Sequence, residues 1–136
     1  MGRMSPVSLV RAPALAGSVP YAYAAVTAPG SLVFTAGACP LDDAGEVVAP
    51  GDHAAQARQV MANLVTALAA SGARLSDVAK STVYVAAADR QDLVAVWDVV
   101  REAFGDHDAP STLLGVAMLG YPEQLVEVEA VAVLPA

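Results

Sequence analysis

The clearest pattern of apolar and polar positions runs from Gln124 to Leu134, where side chains alternate in character with a period of two, the signature of a β-strand. Val126, Val128, Ala130, Ala132 and Leu134 share one face, which is wholly apolar and is expected to lie under helices. Leu125, Glu127, Glu129, Val131 and Val133 share the other, so two carboxylates stand roughly 7 Å apart among branched aliphatic side chains. Earlier in the chain, Pro6 to Pro13 reads as a short extended edge strand. Val19 to Thr27 and Leu32 to Ala36 alternate around a Pro29-Gly30 turn and read as a β-hairpin. A turn at Asp42 to Gly45 precedes a further scrap of strand at Val47 and Val48.

Two stretches change to helical spacing. Asp52 is the expected N-cap of the first and Gly72 its stop, with Ala57, Val60, Met61, Leu64, Val65 and Leu68 forming the buried stripe. Asp89 is the expected cap of the second, with Asp92 as a capping-box partner and Gly105 as terminator. Its stripe is Leu93, Val96, Trp97, Val100 and Phe104. Strands are expected from Ala79 to Val85, from Ser111 to Leu119 and in the closing segment. Each helix crosses between strands, so both should pack on one face of a single sheet in an α+β layer pair. The opposite face, with Leu125, Val131 and Val133 beside the carboxylates, has no element left to cover it. Burial against copies of the same chain is the expected solution, giving a ring-like homo-oligomer with clefts between subunits.

Composition supports one domain over residues 1–136. That length suits a real core but is too short for two comfortable ones. Apolar residues make up 56% and charged residues 15% of the chain, a balance that also favours association. No apolar run reaches the length of a membrane span. The formal charge is −7, and the single lysine, Lys80, and the arginines are scattered, so no basic face is available for nucleic acid. Met1 to Pro6 has no apolar signal core, and Pro6 occupies the place where a myristoylation motif needs Ser or Thr, so a cytoplasmic address is expected. Cys39 has no intrachain partner for a disulfide, in keeping with a reducing compartment. His53 and His107 lack ligand spacing, and no metal site is expected.

Motifs for nucleotide cradles, nucleophile elbows, zinc proteases and redox dithiols are absent, which leaves acid chemistry. Glu127 lies near the open end of its strand and is expected to reach water. Glu129 has Val131 and Val133 beyond it on the same face, and a carboxylate held there must be hydrogen-bonded, paired or shifted toward its neutral form. It is the candidate acid or base. Tyr21 and Tyr23 can orient polar groups as well as pack their rings. Cys39 follows the glycine Gly37 at a strand end but has no base adjacent in sequence, and is expected to be inert.

The segments Phe34 to Pro40, Ala54 to Gln59 (Ala-Ala-Gln-Ala-Arg-Gln), Lys80 to Val85 and Val126 to Val133 together resemble the RidA (YjgF) family, in order and over nearly the whole chain from about Tyr21. The resemblance implies a chorismate-mutase-like α+β fold and a homotrimer with ligand clefts between neighbouring subunits. It also implies hydrolysis of enamines and imines to ketoacids and ammonia without a cofactor. On it, Glu129 holds the attacking water and Tyr21 is the cleft tyrosine. Ala36, Gly37, Cys39, Leu93, Thr112 and Leu114 are the substrate-binding positions. Thr112 stands where the family's carboxylate-gripping arginine falls, Ala36 in place of a serine and Leu114 in place of a cysteine. A bidentate arginine–carboxylate contact contributes about 1.5–3 kcal/mol, or about ten- to a hundredfold in affinity. The expected substrate is therefore a neutral or cationic enamine or imine rather than an amino-acid-derived anion. The alternative is a non-catalytic trimer that binds a small molecule or regulates a partner. Ribonuclease activity, sometimes attached to the family, is disfavoured by the acidic charge.

Overall fold

The computed structural model describes residues 3–136; the first two residues of the opening segment lie outside the described residues. The elements are β1 (Val7–Val10), β2 (Ala24–Thr27), β3 (Gly30–Phe34), α1 (His53–Ala70), a 3₁₀ turn (Leu75–Asp77), β4 (Val78–Ala86), α2 (Arg90–Phe104), β5 (Ser111–Val116) and β6 (Val126–Pro135). A four-stranded sheet has the order β3-β6-β4-β5. Only the β4/β5 pair in it is parallel, because α2 provides the crossover between them. Both helices pack on one face of this sheet, the expected α+β arrangement.

Helix boundaries follow the caps in the sequence. The Asp52 carboxylate accepts from the Ala55 N–H at 3.0 Å, and Gly72 takes φ +84° just past the end of α1, a left-handed conformation that glycine adopts without strain. Asp89 accepts from Gln91 and Asp92, and Gly105 ends α2 at φ +64°. The core joins Val60, Met61, Leu64 and Leu68 of α1 and Val96 and Val100 of α2 to Val83, Val85, Val126, Val128 and Ala132 of the sheet. Val65 lies outside this core. It is 44% exposed, because the stripe on α1 is narrower than its apolar residues suggest.

The expected hairpin does not form as a ladder. β2 pairs antiparallel with β1, Val7 opposite Thr27, whereas β3 pairs antiparallel with β6, Gly30 opposite Pro135. The long alternating β6 offers β3 a full ladder, and Gly30 permits it. A side chain at Gly30 would collide with the Leu134 carbonyl. β5 also stops at Val116 rather than reaching Leu119.

Candidate functional site

Strand register assembles the outward face of the sheet row by row. Thr82 lies opposite both Thr112 and Glu129, and Tyr84 lies opposite both Leu114 and Glu127. With neighbouring strands about 4.8 Å apart, the ends of each row are about 10 Å apart across β4. The alternation of β6 holds as expected, with Val126, Val128, Ala130 and Ala132 buried and Glu127, Glu129 and Val131 half-buried. Val133 departs from it by being buried as well.

The two glutamates differ in what surrounds them. Glu127 does not simply reach water. Its Oε1 accepts from the Cys39 thiol at 3.3 Å and from Gln124 Nε2 at 3.1 Å. A Cβ at Gly37 would lie 2.7 Å from Glu127 Cγ, so any side chain here would push this carboxylate out of its place. Glu129 Oε1 instead accepts from the Tyr84 hydroxyl at 3.1 Å. That bond to the carboxylate raises the Tyr84 pKa, with burial adding to the effect. Glu129 is half-buried, to the same class as Glu127 rather than more deeply.

The Cys39 pKa is pushed up to about 11, first by burial and then by the hydrogen bond and charge of Glu127, while Gln124 opposes the shift. The group is a protonated thiol that donates to Glu127, which fits the inert role read from sequence. The strand-like segment that carries it is held on both sides. Ala38 bridges Val128, and Asn63 of α1 donates to the Cys39 and Leu41 carbonyls at 2.8 and 2.9 Å. Ala36 and Gly37 line a depression of about 400 Å³ with Thr35, Ala38 and Asn63.

A second cluster forms at the β5 edge. Tyr21 and Thr112 line one cavity of about 440 Å³ together with Pro20, Trp97, Ser111 and Leu113. Lys80 Nζ donates to Thr112 Oγ1 at 2.6 Å, bringing an ammonium group to the position where the sequence offers no arginine. Leu114 is 43% exposed on the same face. Leu93 is elsewhere: it packs against the core from α2, its methyls 3.8 Å from where a Gly115 side chain would begin. Arg11, a conceivable substitute cation, is engaged by Asp108 of its own chain at 2.5 Å.

The structure thus gathers Gly37 and Cys39 about Glu127, and Tyr21 beside Thr112. Glu129 lies in the Thr112 row and accepts a bond from Tyr84 of the next row. Sequence reasoning missed Gln124, Tyr84 and Lys80. The period-two phase of β4 carried a signal for the last two, since Lys80, Thr82 and Tyr84 alternate with the buried Ser81, Val83 and Val85. Among the described residues, no helix is long and apolar enough to cross a membrane, and no three His, Cys, Asp or Glu side chains cluster to hold a metal ion.

Comparison with known proteins identifies the family. The family model described as Endoribonuclease L-PSP matches residues 12–134. The 2-iminobutanoate/2-iminopropanoate deaminase of Escherichia coli is 35% identical over 109 residues, covering 76% of this chain and 80% of its own. A crystal structure of a Rid family protein from Yersinia pestis superposes with a TM-score of 0.89 at 30% identity, covering 95% of this chain and 99% of that one. Escherichia coli TdcF, solved with bound serine, superposes with a TM-score of 0.67 at 30% identity over 86% of this chain and 90% of its own. The range matched by the family model runs from before Tyr21 through both glutamates of β6, and the chain belongs to the RidA (YjgF) family, whose model carries the description Endoribonuclease L-PSP.

Proposed function

We propose that this chain is a cofactor-free deaminase that hydrolyses imines, and enamines through their imine tautomers, to a carbonyl compound and ammonia. The observation that carries this reading is the β6 carboxylate held against the chain at Gly37. Glu127 has one oxygen occupied by Cys39 and Gln124, which fixes its orientation. Its Oε2, which has no bond among the described residues, is the oxygen proposed to hold a water. The role given to Glu129 on sequence grounds is therefore proposed for Glu127, with Glu129 and Tyr84 as a polar pair beside it.

The chemistry balances with these groups alone. Glu127 takes a proton as the water oxygen bonds to the imine carbon and the C=N π pair moves to nitrogen. It returns that proton to nitrogen to give the carbinolamine, then carries the hydroxyl proton to nitrogen as the carbonyl forms and the C–N bond breaks, so ammonia leaves with both protons of the water. Cys39, protonated, serves as a donor rather than a nucleophile. The relative named as acting on 2-iminobutanoate and 2-iminopropanoate supports the reaction class, and the serine-bound relative supports a small-molecule ligand. The restriction to neutral or cationic substrates is not carried into this reading, because Lys80 brings positive charge to Thr112.

The active form proposed is a homotrimer of single-domain chains. Leu32, Phe34 and Leu114 are exposed on the sheet face that the helices leave open. The Glu127 cluster adjoins edge strand β3, whereas the Tyr21 cavity lies at the opposite edge, β5. Head-to-tail closure of a ring would bring one copy's β5 edge to the next copy's β3 edge and complete the cleft.

The test is ammonia release from 2-iminobutanoate generated in situ and from a neutral ketimine. The wild-type chain should accelerate hydrolysis. Glu127→Gln should lower kcat on the order of 10²- to 10⁴-fold while sedimenting like the wild type, and Glu129→Gln should retain most activity. Full activity in Glu127→Gln would remove the mechanism. Tight binding of imine analogues without turnover would instead establish the ligand-binding trimer.

A further inference from the structure

Tyr21 does not belong to a strand; β2 begins only at Ala24. Its placement comes from side-chain and backbone bonds that converge from two segments, the end of β1 and the loop before β5. Arg11, directly after β1, donates Nη1 to the Tyr21 carbonyl at 2.7 Å and to the Val19 carbonyl at 3.4 Å, and Nη2 to Asp108 Oδ2 at 2.5 Å. The Asp108 carbonyl in turn accepts from the Ala22 N–H at 2.9 Å, and the Val10 carbonyl accepts from the Tyr23 N–H at 2.9 Å. Asp108 lies in the loop that leads into β5 and Thr112. One guanidinium therefore ties the Tyr21 backbone to the loop that leads directly into Ser111, Thr112 and Leu113, which line the cavity with Tyr21.

Two further observations separate this from an ordinary surface ion pair. Half-exposed pairs contribute little to folding, yet this one uses the planar fork of an arginine, which sets direction as well as distance. Ala12, the next residue, is held at φ +50°, a left-handed conformation that a non-glycine residue keeps only where its surroundings impose it.

We propose that Arg11 and Asp108 form a positioning pair that sets the Tyr21 ring against Thr112 at the mouth of the cavity, and so acts on the hydrolysis through Tyr21. This rests on the deaminase reading for its kinetic consequence but not for its structural one. The pair belongs to the site without touching the reacting atoms.

Two readouts test it in the full chain. In the first, Arg11→Ala should lower kcat/KM on the order of tenfold or more, since sub-ångström to ångström misplacement of an orienting group has effects of that size. Arg11→Lys should recover only part, lacking the fork. On a Tyr21→Ala background, which removes the ring, Arg11→Ala should cost less than about twofold, because a residue acting through Tyr21 is not additive with its loss. Equal losses in both backgrounds would overturn the proposal. The second readout needs no turnover. Trp97 lines the same cavity and is the only tryptophan, so its quenching by acrylamide reports how well Tyr21 closes the mouth. Quenching should rise in Arg11→Ala and Asp108→Asn and stay at the wild-type level in Tyr21→Phe, whose ring remains. Unchanged quenching in the Arg11 and Asp108 variants would overturn the proposal. Absence of imine turnover with raised quenching would leave the positioning pair standing and remove only the deaminase reading.

Discussion

On the helix side of the four-stranded sheet Val83, Val85, Val126 and Val128 have no exposed surface. On the other side Leu32 and Phe34 are 57% and 71% exposed, and Lys80, Tyr84, Glu127 and Glu129 project among them. The same strands make both faces. The covered face is a packing problem solved by size and apolarity, and its residues are nearly interchangeable aliphatics. The open face combines apolar side chains with polar groups in fixed registers, and the candidate chemistry lies there. One face therefore accounts for the stability of the chain, and the other carries the groups proposed for its chemistry.

Substitutions can test that division. The largest expected effect is on folding: Leu64→Ala removes a fully buried side chain of α1 and should cost about 2–5 kcal/mol in chemical denaturation. Phe34→Ala on the open face should change folding free energy by no more than about 0.5 kcal/mol but weaken self-association measured by sedimentation. Equal effects of the two on folding would erase the distinction between the faces.

Gly37→Ala probes the open face without touching the core. Its Cβ would displace the Glu127 carboxylate, so imine hydrolysis should fall on the order of tenfold or more, with a thermal midpoint close to wild type. Retained activity would show that the Glu127 position is not critical.

Asp77 gives a pH test away from both faces. It is buried in full, bonded by Arg3 at 2.7 and 2.9 Å and by the Arg74 N–H at 2.9 Å. Burial pushes its pKa up, but the bonds and charge of Arg3 and the Arg74 N–H outweigh it, and the net shift is downward. A depressed folded pKa stabilises the chain fully above the ordinary carboxylate value of about 3.9 and loses that contribution as pH falls through the folded value. Acid unfolding of Asp77→Asn should therefore be less steep over that window, as followed by circular dichroism. An unchanged acid limb would show that Asp77 is not the titrating group.

The smallest effect expected is on thiol reactivity. With its pKa at about 11, Cys39 should alkylate slowly at pH 8 and faster as pH rises toward that value. Glu127→Gln should accelerate the reaction only partly, because burial is the larger cause of the shift. A rate independent of Glu127 would contradict the thiol–carboxylate bond.

The fold was largely legible because its signals are local. Asp52 and Asp89 announce helix starts through their own side chains, Gly72 and Gly105 the ends, and β6 declares both of its faces by alternation. The hairpin was misread because the partner of a strand is chosen by distant residues, here β6 for β3. The site was legible only in outline. Sequence placed two glutamates on one face of β6, singled out Gly37, Cys39 and Tyr21 from their places in the chain, and named Thr112 through family resemblance. It assigned the water-holding role to Glu129, where the geometry leads us to propose Glu127, and considered Lys80 only as a scattered charge.

What the sequence determined by itself is therefore the set of elements, the face each strand buries and the residue types available for chemistry, since all three follow from spacing within a few residues. What only the tertiary structure decided is which groups meet. Cys39 reaches Glu127 across 88 positions and Arg11 reaches Asp108 across 97. Contacts at such separations depend on strand order and register, which the whole core fixes together and no short stretch of the chain encodes.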